Sequence, residues 1–584
     1  MDKNKQKVKP YKDNYGVKSG ITIAVIWVVW VALMYYLLLP ALNVHSAGMW
    51  MFLILVCLVP AALGMLLHQL IKNSGSASYN PVSKKTGVVF GTAACAMALF
   101  LLLLLFGAPM FHASAYASIL KLEDYDFNED INQATAVTNI ALMDTDSAIL
   151  LGNREIGGLS EVVSQYNVSD SYSQIDYSGS PVKVSALNYA GFFKYMGNKE
   201  SGVPGYVKVD PVGQNAEYVA VDEGMKYVPS AYFGKDLKRH IRMQYPTKIF
   251  GNLHFEINED GAPYYVASVY DYTIGVFGGE TVQGAIVCDP ISGECVYYAA
   301  AEVPQWVDNV FEGDLLVKQY DWYGKLSNGF MNSIFGKKGC KKCTETIEKN
   351  ADDEDEDEDA SYAADYGYVS KDGDIWIYTG VTSVNDDASN IGFILVNERT
   401  SEAHYYTIAG ADESSAMSAA EGEVQEKGYQ ASFPSLINVD NQPTYIMVLK
   451  DASGIVKLYA MVNVESYNMV TTATDIDECF SKYRKLMGTE EASEDSGTSD
   501  ETIENDDALE DENAEIIAMD FVIQSIQYVD IEGNTYVYLA GEDGNVYRQR
   551  FADNEKLIFL NPGDSVSADC IFEEDGVYRI KTTR

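Results

Sequence analysis

Apolar and polar positions are segregated along this chain. From Gly20 to Ile71 there is no Asp, Glu, Lys or Arg. Pro40 to Ala47, with Asn43 and His45, breaks that stretch into two runs, Ile21–Leu39 and Met49–Ile71. A third run covers Val88 to about Met110 and contains Leu101 to Leu105 in series. Each is about 20 residues, the length a helix needs to cross the hydrocarbon core. Beyond residue 111 the period changes. Tyr206–Asp210, His254–Asn258, Tyr264–Tyr270, Asp374–Tyr378, Gly392–Asn397, Thr444–Lys450 and Val456–Val462 read as short strands separated by Gly, Pro and Asp turns. Helices are expected over Ser114–Asp124, Ser414–Lys427 and Asp475–Met487. The last 70 residues read as five or six short strands, the pattern of a small barrel of SH3-like or oligonucleotide-fold (OB) type. The expected fold class is therefore three membrane helices followed by an α+β, mostly antiparallel β body with a small C-terminal β-barrel.

Charge divides the chain into segments. The expected order is a basic tail over 1–19, three spans over 20–111 and an α+β domain over 112–340. An acidic loop over 341–368, a second α+β domain over 369–487, an acidic linker over 488–514 and the barrel over 515–584 follow. Asp352 to Asp359 are eight consecutive acids, which repel one another and read as a solvated loop, with a weak, low-specificity calcium or polycation site as the alternative. The start of a calcium loop at Asp124-Tyr-Asp126-Phe-Asn128 fails, because the Gly and Glu it needs are replaced by Glu129 and Thr135.

The lysines orient the spans. Lys3, Lys5, Lys7, Lys9, Lys12 and Lys18 precede the first, the first loop has none, and Lys72, Lys84 and Lys85 lie in the second loop. The positive-inside rule then places the N-terminus in the cytoplasm and everything after residue 111 outside. Lys84-Lys85, the third run and Ala113-Ser114-Ala115 have the parts of a signal peptide cleaved after Ala115. The length of the run and the two earlier spans favour retention.

The net charge is −42, from 42 Lys and Arg against 84 Asp and Glu. The first 110 residues hold nine lysines and two acids, which leaves 33 basic and 82 acidic residues, a charge of −49, beyond them. So acidic a body is a poor partner for nucleic acid. Eight cysteines in 584 residues do not make a disulfide scaffold. Cys288 and Cys295 flank a turn and would form a disulfide if they lie on facing strands. Cys340-Lys-Lys-Cys343 has the spacing of a redox pair, which needs the start of a helix for its chemistry, or of a local disulfide or idle thiols. Lys238-Arg239-His240-Ile-Arg242 is a basic patch on an acidic chain, either an interface or a solvated helix end. Trp306, Trp322 and Tyr323 are candidates for an aromatic ligand surface. No hydrolase, nucleotide or zinc motif stands out, and no cofactor is expected.

One phrase recurs: strand, Asp or Asn, polar turn with an acid, strand. It occurs at Val207-Lys-Val-Asp210 to Glu217, Ala285-Ile-Val-Cys-Asp289 to Glu294, and Ile394-Leu-Val-Asn397 to Glu402. The second copy resembles the terminal hairpin of PepSY-type domains, small extracytoplasmic units of a helix on an antiparallel sheet, and 414–470 has the same element order. Over about 120–487 the wording, including Gly205-Tyr-Val-Lys-Val-Asp210 and Asp321-Trp-Tyr-Gly324, is similar to that of large membrane-anchored envelope proteins of Gram-positive bacteria. The resemblance implies a non-catalytic binding, scaffold or regulatory role at the cell membrane, with another envelope protein or a cell-wall polymer as partner. An envelope thiol–disulfide oxidoreductase using Cys340 and Cys343 is the alternative.

Overall fold

The computed structural model describes residues 14–73, 84–131, 142–211, 215–347, 362–364, 366–385, 389–488, 516–531, 534–541, 545–550, 563, 565–572 and 577–583. Both the Asp352–Asp359 tract and the linker over 489–514 lie outside them. The chain divides into two compact units, Met1–Glu491 and Ala492–Arg584.

Three helices in the first unit are long and apolar enough to cross a membrane. They are Asn14–Leu38, a continuous run from Ala47 to Asn73 with a π-helical stretch at Phe52–Leu58, and Lys84–Phe106. The third ends at Phe106, four residues before the end of its apolar run. Pro109 then starts a separate short helix, Pro109–Tyr116. The helix expected over Ser114–Asp124 is thus corrected. Leu122–Asp124 is a strand that pairs in parallel with Ala403–Tyr405, so the chain following the third apolar helix is stitched into a sheet with a strand 281 residues later.

The body of the first unit is a stack of layers. A five-stranded sheet (Tyr166–Val168, Ser173–Tyr177, Ser180–Tyr189, Val203–Asp210, Asn215–Met225) faces a four-stranded one (Ile249–Ile257, Pro263–Ile274, Gly278–Cys288, Cys295–Ala299). Ala267, Val269 and Ile286 point into the core between them. Val266, Ala285 and Val287, the alternate residues, point the other way. There they meet Leu316 and Tyr320 of the helix Gly313–Leu326 and Ile377 and Ile394 of a six-stranded sheet. The opposite face of that sheet, with Trp376, Tyr378, Phe393 and Leu395, packs on Tyr445 and Met447 of a second five-stranded sheet and on the helix Glu413–Glu423. Ile446 and Val448 then face Cys479, Phe480 and Tyr483 of the helix Ile476–Met487, which Asp475 caps. Strands sandwiched in this way are apolar on both faces, which is why Gly392-Phe-Ile-Leu-Val has no polar alternation.

The expected break at 341–368 does not separate two bodies. Lys341–Cys343 is itself a strand, paired with Val381–Ser383, and Gly367–Lys371 pairs with Asp374–Tyr378. Residues from both sides of the break share one core.

The second unit is a ring of five strands: Ile516–Ile531, Asn534–Gly541, Val546–Arg550, Val577–Thr583 and Ser565–Phe572, with the last paired back to the first. The Ser525–Val529 segment read from the sequence is part of a strand of 16 residues, long enough to pair with two neighbours at its two ends. Phe521, Val537, Leu539 and Tyr547 fill its interior, with the Phe521 and Tyr547 rings stacked 3.6 Å apart.

Candidate functional site at the membrane end of the body

The first interhelical loop and the exit of the third helix touch the same side of the body. Leu42 donates its N–H to Pro246 O (2.7 Å), and Asn43 Nδ2 donates to Thr247 O (3.0 Å). Phe277, at the tip of a hairpin, sits against Phe100 and Trp50 of two apolar helices, with ring centroids 5.3 and 6.5 Å away. Gly107 passes the base of that hairpin so closely that a Cβ on Gly278 would lie 2.5 Å from Gly107 O.

Two arginines of the predicted basic patch belong to this junction. Both sit on the helix Leu237–Gln244, which Asp236 caps. The Arg239 guanidinium lies 4.3 Å from the Tyr36 ring and donates to Phe233 O (2.9 Å). Arg242 is corrected from an exposed interface residue to a buried one. It stacks on Phe250, donates to Leu39 O at the end of the first apolar helix (3.0 Å), and bonds Tyr245 O and Lys248 O. Burial pulls its guanidinium down to about 10, so it stays charged at neutral pH. His240 faces away from this contact, with Nε2 2.7 Å from Gly293 O and its ring against Tyr227. Gly293 belongs to the turn that the Cys288–Cys295 disulfide closes, between strands in register at those two residues.

Beside the junction is a groove of about 790 Å³. Pro109 forms one wall, and the helix Gly313–Leu326 forms the floor with Asp314, Lys318, Asp321, Trp322 and Lys325. These residues share a face because they fall three or four apart. Leu315, Leu316 and Tyr320, on the opposite face, are buried in the core. Trp322 makes an edge contact with Tyr116 (4.8 Å), and Lys318 lies over its ring. The charges are paired: Lys325 with Asp321 at 2.5 Å and Lys318 with Glu280 at 2.8 Å. Phe330 and Ser333 close the rim.

The other candidates are placed around this groove or away from it. Trp322 lines it. Tyr323 is half-buried beside Tyr320 and packs against the core, and Trp306 is half-buried against Tyr264 and does not line the groove. Cys340 and Cys343 lie behind the floor, 3% and 2% exposed, on and just before an edge strand rather than at a helix start. Cys340 Sγ is 3.4 Å from Asn332 Nδ2, and the Cys343 N–H donates to Asp321 Oδ1 (3.0 Å). The helix 313–326 and with it Asp314, Lys318 and Lys325 went unread in the sequence. The spacing Leu315, Leu316, Tyr320, Tyr323 was the signal available.

A second polar cluster is buried where the sheets meet. Glu256 accepts from the N–H groups of Asp308 and Asn309 and from Asn309 Nδ2, each at 3.0 Å. Asp308 in turn accepts from the N–H groups of Asp176 (2.7 Å) and Ile375 (3.3 Å), and Phe311 N–H donates to Glu398 O (2.6 Å). One short segment thus ties three sheets together. Burial holds the carboxyls of Glu256, Asp308 and Glu398 above the usual range, and the neighbouring Glu256 carboxyl adds to this at Asp308 and Glu398. A third cluster secures the segment that follows the apolar helices. Asp130 takes hydrogen bonds from Tyr406 and His404 (2.7 Å to Nδ1) and faces Lys371 at 3.3 Å. Burial pushes the Asp130 carboxyl up, but those partners outweigh it and hold it below its ordinary value. Among the described residues no group of three or more His, Cys, Asp or Glu is arranged to hold a metal ion.

No family model and no curated protein matches the chain. Among solved structures, a cobalt-substituted ACO of Synechocystis aligns at 7% identity and a TM-score of 0.12, over 51% of this chain and 46% of that one. A B. megaterium levansucrase variant aligns at 8% identity and a TM-score of 0.16, over 79% of this chain and 98% of the other. The chain thus spans just under half of the first. Likenesses this low carry no argument about fold or activity.

Proposed function

We propose that this chain is a membrane-anchored extracytoplasmic binding or scaffold protein of a bacterial envelope, with the N-terminus in the cytoplasm and everything after residue 111 outside. The observation that carries the reading is the groove beside Pro109. It combines a half-buried Trp322, apolar walls and two ion pairs that are already satisfied, a surface suited to recognition rather than to proton transfer. Its partner would be an envelope protein or a cell-wall polymer that passes close to the membrane. The small five-stranded unit, of SH3 or OB type, would be a second binding module. The acidity of the body would keep it solvated and apart from anionic polymers. Cys340 and Cys343 would serve in packing, since their thiols are covered.

A photo-crosslinking amino acid in place of Phe330, in intact cells, tests the reading. A discrete adduct with an envelope component, weakened by W322A and absent from the same probe at Leu150, is expected. Absence of any adduct at Phe330, together with substrate turnover by the purified chain, would overturn it.

A further inference from the structure

Two tips of the body expose large apolar side chains next to the points where the chain enters and leaves its apolar helices. The first tip joins the helix Phe192–Asn198 to the loop before Lys235. Phe193 is 86% and Phe233 57% exposed, with Phe192 between them at 5.7 and 6.3 Å. This tip is tied to the end of the first apolar helix, because Arg239 bridges Phe233 O to the Tyr36 ring. Phe233 also has φ 57°, in the left-handed region that a bulky side chain rarely occupies.

The second tip is the turn after the groove. Met331 is 65%, Ile334 49% and Phe335 77% exposed, followed by exposed Lys337 and Lys338. It is tied to the exit of the third helix, because Phe330 packs in one cluster with Trp322, Tyr116 and Ala113. Exposed apolar groups of this size mark an interaction surface. Aromatic and aliphatic side chains backed by lysines fit the boundary between acyl chains and anionic headgroups.

We propose that both tips insert shallowly into the same bilayer that the three helices cross, so that the body lies against the membrane on two aromatic feet. Continuity decides the occupant: the first tip is bridged to Tyr36 in the last turn of the first apolar helix, and the second packs on the short helix Pro109–Tyr116 that directly follows the third. The inference rests on those helices being spans and not on what the groove binds.

The test uses the full chain with Cys57 and Cys95 replaced by alanine, reconstituted in vesicles of phosphatidylcholine and phosphatidylglycerol. Spin labels are attached at F193C and F335C, with E217C as an exposed control. Relaxation by oxygen exceeding that by a water-soluble nickel chelate at both tips, and the reverse at the control, is expected. F233C and M331C repeat the measurement on the same tips should a first variant not fold. Nickel access at the tips equal to the control would overturn the proposal. So would exclusion of both reagents with cross-links between copies, which would mean a protein contact.

Discussion

Arg242 carries a charge into the junction between the first apolar helix and the body, and the backbone carbonyls it meets have no other donor of that strength. Truncation leaves those carbonyls facing a cavity. R242A is expected to lower stability by about 3 kcal/mol, because charged hydrogen bonds to Leu39 O and Lys248 O are lost, whereas Tyr245 O keeps the Lys248 N–H. R242K should recover part of this, since it keeps the charge but not the fork. Thermal unfolding of the chain in nanodiscs checks both. Glu398 makes the matching argument for acids. Glu398 is 2% exposed, and one carboxyl oxygen has no hydrogen-bond partner among the described residues. Since its folded pKa is raised, its contribution is fully present in acid and is lost as pH rises through that value. E398Q should therefore gain stability relative to the parent as pH rises from about 4 to 8, read from urea midpoints at each pH. A gap that stays constant or shrinks would contradict the assignment. Neither residue could be placed from the sequence. Leu39 lies 203 positions from Arg242, and a charged residue in a basic run reads as exposed until its partner is known.

Hairpins are where the sequence spoke most clearly. At Asp289 and at Asn397 the side chain accepts from backbone N–H groups two and three residues on. In both, the turn residue donates its N–H five residues ahead, to Glu294 O and Glu402 O. The repeated Asp/Asn-to-Glu phrase was thus legible as a turn because its bonding is local. The third copy has its turn outside the described residues. Asn397 is buried and also donates to Asp374 Oδ2 (2.8 Å), whereas Asp289 is only half-buried. N397A is therefore expected to cost about 2 kcal/mol and D289A about 1 kcal/mol, by the cost of buried against partly solvated hydrogen bonds. Chemical denaturation of the two variants distinguishes them, and equal losses would contradict the reasoning. The short strands at 122–124 and 341–343 were missed for the converse reason. Three residues carry no period, and each strand exists only because a distant edge was free to pair. The groove helix was missed because its alternating charges and aromatics hide a helical apolar stripe under a polar one.

At the scale of the molecule, three apolar helices and a β-rich body were legible, because their lengths and periods are physical requirements of bilayer and sheet. The division of the body was not. Charge runs suggested two domains where the strands on both sides of 348–361 share one core, since a run of acids shows only that a segment avoids burial, not that its flanks part. The boundary near residue 491 does separate two units with their own interiors. A chain ending at 491 should therefore unfold at the same temperature as the body of the full protein, followed in nanodiscs through the near-ultraviolet signal of the buried tyrosines. A fall of several degrees would show that the terminal unit supports the body. The central claim, that a body anchored by three spans faces out of the cell, is tested most directly by labelling single cysteines with a membrane-impermeant maleimide. In a background with Cys57 and Cys95 replaced by alanine, E217C is expected to react in intact cells and K5C only after permeabilisation. Reaction of K5C in intact cells, with E217C protected until the membrane is opened, would contradict the account.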